Sequence, residues 1–159
     1  MHLTKSIQKN MLLCNIRDYG FSNRGFWCTE TKPIHFHTAG IEFTAQAPEL
    51  LIIGLSEEAT YHASHVYYRR VKAGERFEEN TLYKGFIEGY SVMFGVVPKE
   101  RYEEWMWQMP WLYNDNSYRV LQLVYPFEDG TWPWEGAALE MKRKSQPLVC
   151  ATPTLLPEA

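Results

Sequence analysis

The chain has 159 residues, 45% apolar and 22% charged, with a formal net charge of −3. That length suits one domain over 1–159, burying roughly 70% of its unfolded surface without metals or disulfides. The charge balance argues against nucleic acid, since the longest basic cluster is Lys142-Arg143-Lys144.

No apolar run approaches the ~18 residues of a membrane span, and Met11-Leu12-Leu13-Cys14 is too short for a signal-peptide core. Cys14, Cys28 and Cys150 are odd in number and far apart, as in reduced cytosolic proteins. The expectation is a cytoplasmic protein with no membrane contact. The compositional deviation is aromatic: six Trp and ten Tyr within a 15% aromatic share, enough for a core and a surplus that could line a pocket or interface.

Residues 1–24 read as a short helix or irregular arm ending in the Gly/Asn/Ser loop before Gly25. Phe26-Trp27-Cys28-Thr29 and the stretch from Ile34 to Thr44 read as an antiparallel strand pair separated by Pro33. Leu50-Leu51-Ile52-Ile53-Gly54-Leu55 is the purest apolar run and reads as a central strand covered on both faces.

A helix follows. Ser56 is its N-cap, Glu57 and Glu58 occupy its first turn, and Ala59, Ala63, Val66, Tyr67 and Val71 share its inner face. Gly74 stops it. The polar stretch from Glu75 to Gly89 precedes a strand over Tyr90 to Val97. Pro98 opens a second helix with Tyr102, Trp105, Met106 and Met109 on one face, limited by Pro110. Asn114 to Ser117 is a turn, and Tyr118 to Tyr125 begins the last core strand. Residues 145–159 read as an irregular tail. The expected fold is α+β: a mostly antiparallel or mixed sheet of about five to six strands with two main helices packed on it.

Three motifs in order carry a resemblance: His37-Thr38-Ala39-Gly40-Ile41; Pro48-Glu49-Leu50 leading to Ile53-Gly54-Leu55; and Gln122-Leu123-Val124 through Gly130 to Pro133-Trp134-Glu135. Together they make the chain similar, over residues 20–150, to the bacterial family catalogued as domain of unknown function 4262. His35 and His37 stand where that family has aromatics, and Phe127 where an Asp often follows the Pro; Glu128 or Asp129 could stand in for it. The resemblance implies an architecture and no reaction, cofactor or catalytic residue.

His35 and His37 alternate onto one strand face, a spacing that two metal-ligating or acid–base histidines can use. The sequence supplies no third ligand beside them, so no metal and no cofactor is expected. Glu49, at a strand entrance, is either a carboxylate with a shifted pKa or an acceptor for loop amides. His62 and His65 read as part of a solvated helix face. Glu128, Asp129 and Glu135 flank the Trp132-Pro133-Trp134 bend, where acidic side chains serve turns as readily as catalysis. There is no Gly-x-Ser-x-Gly elbow and no phosphate-cradling loop.

Two functions follow as expectations. The first is a non-enzymatic binding or interaction module whose pocket of Tyr125, Trp132, Trp134 and Glu135, edged by Glu49, takes a small ligand or a protein segment. The second is a small hydrolase-like enzyme using His35 or His37 with Glu49 or Glu135, with or without a metal. A homodimer is compatible with either.

Overall fold

Leu50-Leu51-Ile52-Ile53 lies at the centre of a six-stranded sheet in the computed structural model, which describes residues 5–106, 109–113, 117–136, 138 and 140–153. The order along the chain is α1 (Lys5–Tyr19), β1 (Ser22–Phe26), β2 (His35–Ala39), α2 (Ile41–Ala45), β3 (Glu49–Ile53) and α3 (Glu57–Lys72). Then come β4 (Tyr83–Ile87), β5 (Tyr90–Val96), a 3-10 turn (Lys99–Arg101), α4 (Tyr102–Trp105), α5 (Pro110–Tyr113), β6 (Val120–Val124) and α6 (Glu140–Ser145). The sheet runs β1-β2-β3-β6-β5-β4. β3 and β6 are parallel and the other neighbours antiparallel. The α+β class with a mixed sheet is therefore as the sequence leads one to expect.

All five residues of β3 are buried, as are all five of β6, because helices cover both faces. On one face α3 sets Ala63, Val66, Tyr67 and Val71 against Leu50, Ile52, Leu121, Leu123 and Phe94. On the other, Leu12 of α1 joins Tyr102, Trp105, Met106 and Met109 over Leu51, Ile53 and Val120. Full burial of each Leu or Ile here is worth roughly 1.5–3 kcal/mol. Ser56 caps α3 as expected: its Oγ accepts the Ala59 N–H at 3.2 Å.

Several local expectations are corrected. The strand expected to run from Ile34 to Thr44 stops at Ala39. Gly40 takes a positive φ of 111°, which glycine adopts without penalty, and the chain turns into α2. Phe43 consequently sits half-exposed on α2 rather than in a strand. The first strand lies earlier than expected, at Ser22–Phe26; its Gly25 is roofed by the Phe36 ring, which a Cβ would strike. β4 emerges within the polar stretch before Gly89. The second long helix is α1; the helix expected after Pro98 is cut short at Met106, whose φ of −130° leaves the helical range. Its four inward residues are nonetheless all buried. The expected turn at 114–116 and the tail beyond 153 lie outside the described residues. No helix among the described residues is long and apolar enough to cross a membrane.

Candidate functional site

β3 and β6 run side by side in the same direction, and their chains leave the sheet toward opposite faces. After Ile53 the chain enters α3, on the face of Leu50 and Ile52. After Val124 it reaches Trp132, which packs with Val124, Met93 and Cys150 on the other face. Connections that part in this way leave a crevice beyond the carboxyl ends of the two strands, the position where open sheets of adjacent parallel strands accept ligands.

The side chains at this edge are fixed by local chemistry. Gly54 has a φ of 90°, and a Cβ there would collide with the Ser145 carbonyl oxygen and the Tyr125 hydroxyl. Tyr125 Oη donates to the Ile53 carbonyl at 2.9 Å, and burial pushes that phenol's pKa upward. The Gln146 side-chain amide pairs with the Tyr125 backbone in both senses, accepting from its N–H and donating to its C=O, each at 3.0 Å. After Pro126, Phe127 closes a tight loop: its N–H donates to Thr131 O at 2.7 Å, and its C=O accepts from Gly130 N–H at 2.8 Å. Asp129 accepts from the Thr131 hydroxyl at 2.6 Å and the Thr131 N–H at 2.9 Å, and pairs with Lys142 Nζ at 3.1 Å. The Thr131 contacts foremost, then Lys142, hold its carboxyl at about 2.

The result is a crevice of about 360 Å³, within the size range of small-molecule sites. Tyr90, Tyr125 and Phe127 provide aromatic wall, and Leu55, Ala59 and Ile87 aliphatic wall. Ser56, Glu128, Lys142 and Ser145 add polar groups.

Of the four residues expected to bind ligand, Tyr125 alone lines this crevice. Trp132 and Trp134 stack on each other at 5.0 Å between ring centroids, on the far face of the sheet. Trp132 is buried and Trp134 partly so. Glu135 closes their turn, its Oε1 accepting the Trp132 N–H at 3.1 Å.

Glu49 lies at the opposite end of β3, roughly 16 Å of extended chain from Gly54. It is fully buried. Its Oε1 accepts from the Thr38 hydroxyl at 2.7 Å and Ile41 N–H at 3.2 Å; its Oε2 accepts from Gly40 N–H at 3.0 Å, Glu42 N–H at 3.4 Å and the Tyr113 hydroxyl. Burial raises its pKa against the pull of these donors. The carboxylate thus caps α2 from a neighbouring strand.

His35 and His37 do share a face of β2, but each spends Nδ1 on a backbone carbonyl: Pro33 O and Thr38 O, both at 3.0 Å. A carbonyl only accepts, so Nδ1 carries the hydrogen in both rings. His35 stacks on Phe26 and meets the edge of Trp105. His37 is 1% exposed, and burial lowers its pKa to about 4. Neither ring bonds Glu49 or Glu135, and no group of three His, Cys, Asp or Glu that could hold a metal occurs among the described residues. On α3, His65 sets its ring against Phe21.

Sequence reading missed Ser56, Tyr90 and Lys142 as crevice residues, because they come from three separate segments. The available signal was the Gly54-Leu55-Ser56 step from an apolar strand into a capped helix.

A family model described as "Domain of unknown function (DUF4262)" matches residues 15–138. That span contains the crevice from Gly54 through Glu128 and stops short of Lys142 and Ser145. No curated protein and no solved structure matches the chain.

Proposed function

We propose a role from the premise that this chain belongs to the DUF4262 family of unknown function: it is a non-enzymatic, cytoplasmic binding module whose small ligand sits in the crevice at the ends of β3 and β6. The observation that carries the reading is the divergence of two adjacent parallel strands around an aromatic-walled cavity of about 360 Å³. Rigid aromatics give contact area at small entropic cost, and a few polar groups set orientation. Binding is favoured over the acid–base alternative because the two histidines are packed against rings and committed to backbone carbonyls, while Glu49 is occupied by amides and hydroxyls. A cytoplasmic setting is supported by three cysteines that are all free thiols.

A fragment screen by NMR tests the reading, with Ala59→Phe filling the crevice from α3. Fragments that shift the resonances of Leu55, Tyr90 and Tyr125 in the wild type should lose affinity for the variant. The reading fails if no fragment perturbs those residues, or if the ones that do bind A59F equally well.

A further inference from the structure

We infer that the ligand class of this crevice is a small organic ammonium ion, above all a quaternary one, with Tyr90, Tyr125 and Phe127 as its aromatic walls and Glu128 as its counter-charge. This rests on the reading of the crevice as a ligand site and adds the chemistry that selects among ligands.

The charge distribution decides the sign. Lys142 is the one cation in the lining, and its ammonium is already matched by Asp129 at 3.1 Å. Glu128 is exposed and makes no hydrogen bond or ion pair with any described residue. The N-terminus of α3 points its positive end toward this edge, but Ser56 takes the Ala59 N–H, and Glu57 and Glu58 lie in the first turn, where carboxylates offset the helix dipole. Of the two charged side chains in the lining, Lys142 is matched by Asp129 and Glu128 is left without a partner among the described residues, so the unmatched charge there is negative. A cation entering the crevice finds Glu128.

The aromatic content decides the kind of cation. Ring faces attract positive charge through their quadrupole, and aromatic cages are a recurrent means of holding quaternary ammonium groups. The chain itself supplies the pattern: Lys142 Nζ lies 5.9 Å from the centroid of Phe127. A primary ammonium is strongly hydrated and gives up that water reluctantly against the aliphatic wall of Leu55, Ala59 and Ile87. An alkylated ammonium has methyl groups to set against that wall and no N–H requiring an acceptor.

Titration of the isotopically labelled chain with choline and with its uncharged carbon isostere, 3,3-dimethylbutan-1-ol, separates charge from shape. Choline should shift the amides of Leu55, Tyr90, Tyr125 and Phe127. The isostere should bind roughly tenfold more weakly, and Glu128→Gln, an exposed substitution whose folding is checked by its thermal midpoint, should weaken choline by a similar factor. Equal binding of the isostere, or an unchanged choline affinity in E128Q, overturns the ammonium assignment while leaving the crevice as a site. So does a carboxylate probe such as benzoate that shifts the same amides when choline does not. If choline, isostere, benzoate and neutral fragments all leave these resonances unmoved, the ammonium assignment and the binding reading fall together.

Discussion

The Tyr125 hydroxyl donates to the Ile53 carbonyl at 2.9 Å, tying together the ends of two parallel strands whose chains then part. Tyr125→Phe keeps the ring and removes the donor. The carbonyl at the floor of the crevice then loses its partner, at a cost of about 1–2 kcal/mol. Urea denaturation should show a lower midpoint with an unchanged slope, since no additional surface is exposed.

Glu49→Gln should cost more. Either orientation of the amide places its NH2 where a carboxylate oxygen now accepts a backbone N–H: Ile41 on one side, Gly40 and Glu42 on the other. Donor then faces donor inside the core, and the N-terminus of α2 loses one side of its cap. The expected loss is about 2–4 kcal/mol in chemical denaturation. An undiminished stability would mean that the buried carboxylate is not what orders the Gly40 turn.

The pH dependence of stability follows from His37. Its folded pKa of about 4 lies below the ordinary histidine value of 6.5, so between these values the unfolded chain binds more protons than the folded one. Stability is therefore fully present above pH 6.5 and falls as the pH drops toward 4, by about 3 kcal/mol from this residue. Burial lowers the pKa of His35 as well, adding in the same direction. Glu49, raised by burial, acts in the opposite sense, so the useful comparison is with His37→Asn, in which Glu49 is untouched. The pH slope of the denaturation free energy between 6.5 and 4 should be visibly flatter in H37N.

Thiol chemistry should distinguish the three cysteines. Cys14 and Cys28 are exposed; Cys150 is buried, and burial pushes its thiol up to about 12. A thiolate-specific reagent at neutral pH should label Cys14 and Cys28 in the native protein and Cys150 only after denaturant is added. Rapid native labelling of Cys150 would show that the segment over Gly95 opens readily.

The parts of this fold legible from the sequence are those whose causes are local. Leu50 to Ile53 is apolar without interruption and became a central strand. α3 carries its own cap, first-turn acids and inner face. The parts that were not legible depend on residues distant in the chain. Nothing near Gly40 announces that β2 ends there; the cap that makes the turn favourable is Glu49, from the next strand. The sequence Ser22-Asn23-Arg24-Gly25-Phe26 has little strand character and is held by pairing with β2, with Phe36 covering the glycine. The candidate site divides in the same way. Tyr125 could be picked out as an aromatic at a strand end. Alternation then sent Val124 and the tryptophans to one face and Tyr125 to the other, a separation that depends on where the strand stops.

Gln122 has a side chain that behaves as a piece of backbone. Buried in β6, its Oε1 accepts from the Val149 and Cys150 N–H groups at 2.8 and 3.1 Å, and its Nε2 donates to the Pro147 carbonyl at 3.0 Å. Cys150 in turn fills the space above Gly95 that any larger residue would need. The segment from Gln146 to Cys150 is thereby stitched across the sheet like an extra, unpaired strand, although the family match ends at residue 138. The unit that folds is longer than the stretch by which the family is recognised: a chain cut at 138 would leave a polar amide and a bare glycine facing water where the intact protein has a seam.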